Sequence, residues 1–141
     1  MKITIIGSIK FRKEMVETRD KLNEMGHEGI ICPVMEDLAF GRNPELMKRI
    51  EDDHGRVKRE NGFIKWYYNA IVNSDAVLVL NYDKNGIKNY IGGNTLMEMG
   101  FAHVYDKKIF LLNPIPKDVA YGDEIKAMVD VVLDGDLSKI Q

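Results

Sequence analysis

Two uninterrupted apolar runs, Ala76–Leu80 and Ile109–Leu112, constrain this chain more than any other feature. Such runs fit parallel strands buried on both faces, and parallel neighbours need a helical crossover between them. The intervening Ile91-Gly92-Gly93-Asn94-Thr95-Leu96-Met97-Glu98-Met99-Gly100 supplies one. Gly92-Gly93 lets bare backbone approach a ligand, and Thr95-Leu96-Met97-Glu98 has the spacing of a capping box. That spacing predicts Thr95 as the helix cap and places Glu98 in the first helical turn, where helix dipole and backbone N–H groups favour an ionised carboxylate.

The rest of the chain repeats the alternation. Ile3–Ile6 reads as a strand closed by Gly7-Ser8, Phe11–Met25 as a helix stopped by Gly26, and Gly29–Cys32 as a strand closed by Pro33. Phe63–Val72 reads as a helix leading into Ala76, Asp123–Met128 as a short helix and Val131–Leu133 as a last edge strand. Strands alternating with helices imply a single-domain α/β fold over residues 1–141, a doubly wound parallel five-stranded sheet of flavodoxin/Rossmann-like order 2-1-3-4-5. Residues 36–62 stand apart, with seven acidic residues, six basic ones, His54 and little apolar periodicity beyond Leu46, Met47 and Ile50. They are expected to form an insertion, either a solvated helical excursion or a lid over the site.

Composition narrows the function. A net charge of −2 argues against a general nucleic-acid or membrane-surface binder. The one cysteine, Cys32, excludes an intramolecular disulfide and a cysteine-rich zinc site, and the three histidines show no ligand spacing, so no metal is expected. With no apolar run near the ~20 residues of a membrane span, a soluble cytoplasmic protein is expected. Neither a P-loop nor a G-x-G-x-x-G fingerprint is present, and no nucleophile elbow for a serine hydrolase. No cofactor is indicated.

The switch point of the expected sheet brings Gly7-Ser8-Ile9-Lys10 close to Asn81, Asp83 and the Gly92-Gly93-Asn94-Thr95 loop. The first group, with Arg12 nearby, is either an anion site of N–H groups, hydroxyl and cations, or a plain turn with Ser8 as N-cap. An ionised Glu98 there suits nucleophilic attack on an electrophilic carbon such as a sugar C1′.

Gly7-Ser8-Ile9-Lys10, the Ser74–Asn81 strand, and Gly92-Gly93-Asn94-Thr95-x-x-Glu98-x-Gly100-x-Ala102 followed by Lys108-Ile109-Phe110-Leu111 together resemble the nucleoside 2-deoxyribosyltransferase superfamily, which includes deoxynucleoside 5′-monophosphate N-hydrolases. The resemblance covers most of the chain in order and is weakest across 36–62. It implies that Glu98 attacks C1′ of a 2′-deoxyribosyl group to form a glycosyl-enzyme, released by water or by a second base. It also implies that the Gly7 turn helps hold a 5′-phosphate, and that the protein is a homo-oligomer with shared sites, Tyr121–Asp123 acting on a neighbour. Where the family carries an aspartate before the third strand, this chain has Tyr67-Tyr68-Asn69. Tyr67 and Asn69 are then the groups left to hydrogen-bond the base. A non-catalytic nucleotide-binding module on the same fold is the alternative, and a phosphotransfer or flavin domain a weaker one.

Overall fold

The computed structural model describes all 141 residues. Five strands form one sheet: β1 (Lys2–Gly7), β2 (Glu28–Ile30), β3 (Ala76–Leu80), β4 (Lys108–Leu111) and β5 (Val131–Val132). They run in the order β2-β1-β3-β4-β5, and every pairing is parallel. This is the expected α/β sheet. Every residue of β3 is buried, as its continuous apolar run requires of a central strand. The edge strands are short, and β2 ends at Ile30 because Pro33 already opens a helix, so Ile31 and Cys32 are buried without being paired.

Six helices cover the sheet: α1 (Arg12–Glu24), α2 (Pro33–Ala39), α3 (Pro44–Asn61), α4 (Phe63–Val72), α5 (Gly93–Val104) and α6 (Gly122–Met128). Right-handed crossovers put α1 on one face and α4, α5 and α6 on the other. α1 buries Met15, Val16 and Leu22 and lies so close to β2 that a Cβ at Gly29 would sit 3.0 Å from the Arg19 backbone. Gly7 is equally tight: a Cβ there would meet the Leu80 carbonyl oxygen at 2.9 Å. Glycine at these two positions permits the packing. No helix is long and apolar enough to cross a membrane.

Residues 36–62 are helical throughout most of their length. Asn43 caps α3 by accepting from Leu46 N, Pro44 opens it, and Gly62 at φ 63° ends it. Asp53 breaks the helix at φ −154°, ψ 84°, and its carboxylate accepts from Arg56 N at 3.1 Å, capping the second half anew. Leu38, Leu46, Ile50, Val57 and Phe63 form a small core separate from the main one. Val57 continues the apolar face of Leu46 and Ile50 at helical spacing, four and then seven residues on.

Asn81, expected beside the site, is fully buried and ties the ends of β3 and β4 together. Its Nδ2 donates to the carbonyls of Asn113 (2.9 Å) and Pro114 (3.1 Å), and its Oδ1 accepts from Asn113 N at 2.8 Å. No polar atom of its side chain is left for a ligand. Asn81→Ala strands two carbonyls and an N–H, so the account expects a loss of about 2–3 kcal/mol in unfolding free energy by denaturant titration.

Candidate active site

At the carboxyl ends of β1 and β3 the chain leaves the sheet in two directions, opening a cleft of about 260 Å³. Gly7, Ser8 and Ile9 form one rim, and the β3–α5 loop contributes Lys84 and Tyr90. The start of α5 contributes Gly92, Gly93, Asn94, Thr95 and Glu98. The opposite wall comes from Met35 of α2, His54 and Lys58 of α3, and Phe63 and Tyr67 of α4.

The loop geometry is held locally. Tyr90 N donates to Tyr82 O at 2.9 Å, and the exposed Asp83 carboxylate accepts from Asn89 N at 2.9 Å. A Cβ on Gly92 would lie 2.7 Å from the Tyr90 hydroxyl, so glycine lets the tyrosine ring close over the start of α5. The Tyr121 hydroxyl donates to the Ile91 carbonyl of its own chain.

The capping box does not form. Gly92 is the N-cap and Gly93 is already helical, so α5 begins before Thr95, whose side chain caps nothing. Gly92 is extended at φ −88°, ψ 175°, and its carbonyl accepts from Leu96 N at 2.9 Å, so the first helical hydrogen bond closes ahead of Thr95. Glu98 is therefore the sixth residue of α5, beyond the unpaired N–H groups of its first turn. It is buried, with Oε1 accepting from Asn94 Nδ2 at 3.1 Å. Burial pushes its carboxyl up to about 8, with Lys58 pulling it down. The expectation of a carboxylate kept ionised by the helix end is corrected accordingly.

Of the residues expected at the site, Gly7, Ser8, Ile9, Tyr67, Gly92, Gly93, Asn94, Thr95 and Glu98 come together here. Lys10 is exposed outside the cleft, and Arg12 folds back to donate to Ile9 O at 3.3 Å. Asn69 lies two residues beyond Tyr67, roughly 200° around α4, and is exposed. Tyr67 is buried, and its phenol is pushed well up first by that burial and then by Glu98 and Cys32.

Sequence reasoning missed Met35, His54, Lys58, Phe63, Lys84 and Tyr90. His54 and Lys58, four apart, share one helix face, which was a readable signal. Lys84 Nζ donates to Ser8 Oγ at 2.8 Å, joining the two rims, and lies over the Tyr90 ring at 5.0 Å. Burial, then Lys10 and Lys58, lower the Lys84 ammonium; burial, then Lys58 and Lys84, lower His54. No group of three or more His, Cys, Asp or Glu side chains is placed to hold a metal ion.

Fold and cleft together define a doubly wound α/β protein with a cleft of about 260 Å³ at its switch point. No family model matches the chain, nor does any curated protein sequence. Among solved structures it matches the CMP N-glycosidase BcmB of Clostridium botulinum, with a TM-score of 0.50 and 15% identity over 95% of this chain and 89% of that one. The likeness is one of fold.

The raised Glu98 carboxyl has a consequence for stability. Its folded value lies above the ordinary 4.5, so the folded state keeps a proton that the unfolded chain releases. Stability is full below about pH 4.5 and falls as pH rises toward 8. Glu98→Gln removes this penalty. In paired thermal melts the variant's advantage is expected to grow from pH 5 to pH 9, by at most about 1.4 kcal/mol per unit across that window. An advantage that is constant with pH would contradict the assignment.

Proposed function

We propose that the protein cleaves or exchanges the N-glycosidic bond of a 2′-deoxyribonucleoside or its 5′-monophosphate, with Glu98 as nucleophile. One observation carries the reading. Glu98 is the single carboxylate lining the cleft, buried, with Asn94 its one side-chain partner. Water exclusion leaves such a carboxylate, once ionised, a strong nucleophile toward C1′.

In the proposed step the C1′–N bond breaks as a C1′–O bond forms to Glu98. The electron pair leaves with the base, which takes up a proton from solvent water. Water then attacks C1′, releasing the free sugar and restoring the Glu98 carboxylate, or an acceptor base attacks and forms a new nucleoside. Tyr67 is the proposed hydrogen-bond partner of the base, since it lines the same cleft and no acid stands on α4 there. Met35 and Phe63 supply apolar surface for a planar ring. A homo-oligomer is part of the proposal, checked by the mass in solution.

The missing acid favours one alternative, a module that binds nucleotides without cleaving them. Incubation with deoxynucleosides, their 5′-monophosphates and CMP, with and without an acceptor base, separates the readings by chromatography. Free base or a new nucleoside supports the enzyme; saturable binding with no product supports the module. Glu98→Ala is expected to lower base release by at least about a thousandfold with the fold intact. In the wild type, kcat/KM is expected to rise with pH toward about 8, as Glu98 ionises. Release by Glu98→Ala at the wild-type rate would remove Glu98 from the mechanism.

A further inference from the structure

Three basic side chains line the cleft without an ion-pair partner. His54 and Lys58 come from the second half of α3, and Lys84 comes from the β3–α5 loop with its ammonium on the Ser8 hydroxyl. The ion pairs of the protein lie elsewhere, at Arg19, Arg42, Arg49, Arg56 and Lys139. The only acidic side chain in the cleft is Glu98, and like charges held together in a partly buried site are unfavourable until an anion enters.

We infer that His54, Lys58 and Lys84, with the Ser8 hydroxyl, form the subsite for a phosphate dianion on the substrate, so that phosphorylated substrates are preferred over neutral ones. The inference relocates anion recognition. Arg12, near the first turn in sequence, folds back onto Ile9 O, and Lys10 is exposed outside the cleft lining and acts there through its charge on Lys84, so the lining charge is delivered by α3 and the β3–α5 loop. The break at Asp53 restarts the helix immediately before His54, and the four-residue spacing puts His54 and Lys58 on one face. A phosphate brings about −1.5 to −2 charges near neutral pH, which matches two lysines and a histidine. The groups facing His54 are Lys58 on its own helix and Lys84 across the rim, with Glu98 and Tyr67 on other walls of the cleft. An anion seated among them must therefore raise the basicity of His54. What the phosphate is attached to rests on the proposed N-glycosidase reading; the anion subsite does not.

Inorganic phosphate tests the subsite directly. Its titration is followed by proton NMR of the imidazole rings, the His54 signal being assigned from a His54→Gln sample. A saturable upward shift of the His54 titration, absent from His27 and His103, is expected. Lys58→Gln and Lys84→Gln, which keep side-chain bulk and remove charge, are each expected to weaken it by about 10- to 100-fold. The ratio of kcat/KM for a deoxynucleoside 5′-monophosphate to that for its nucleoside should fall by a similar factor in both variants. An unmoved His54, or equal movement of all three histidines, overturns the inference. So does a monophosphate-to-nucleoside ratio that neither variant changes. If no substrate releases base, the phosphate titration still decides the subsite, while the proposed activity fails alone.

Discussion

Parallel pairing of β1 with β3, from Ile3 against Ala76 to Gly7 against Leu80, sets the position of everything that can act on a ligand. The two strands end level, and their continuations leave toward opposite sides of the sheet, so a cleft opens between Ser8 and the β3–α5 loop. The close approach at Gly7 is part of this constraint, because any side chain there would push the Leu80 carbonyl away. Asn81 fixes the next residue of β3 to the end of β4 and thereby steadies the loop that carries Lys84. Lys84 closes the arrangement by reaching back to Ser8, a contact between residues far apart in sequence.

Within that frame the cleft mixes one acidic group with three basic ones. Its wall holds a buried carboxyl whose protonated form is favoured by desolvation, together with Lys58, Lys84 and His54, whose charged forms disfavour one another. Lys58 lowers Glu98, His54 and Lys84 alike. An incoming anion would relieve the repulsion and leave Lys58 to attract it rather than Glu98. Charge on Glu98, His54 and Lys84 is therefore coupled through a single side chain.

The sheet was legible because burial on both faces leaves a signature in the sequence, the unbroken apolar runs of β3 and β4. Glycines and prolines marked most boundaries, at Gly7, Gly26, Pro33 and Gly62. The start of α5 was misjudged because capping-box spacing is a local rule, and the helix begins at Gly93, ahead of Thr95. That shift of register changed the chemistry of Glu98, moving it from exposed N–H groups into a desolvated wall. His54 and Lys58 were hidden for a different reason. Their helix buries only a few apolar residues, in a small separate core, among many charged ones, so the segment reads as a solvated charged stretch. Asn81 and Asp83 stand at the right strand end, yet their side chains serve the backbone, a distinction that only the three-dimensional contacts reveal.

The central claim is that Glu98 forms a bond to the sugar. Rapid acid quenching of the wild-type protein with a deoxynucleoside 5′-monophosphate, followed by intact-mass and peptide mapping, tests it most directly. The account predicts a transient mass increase of one deoxyribosyl phosphate residue, confined to the peptide that contains Glu98. Base released at the full rate with no adduct at any time, or an adduct on another residue, would contradict it.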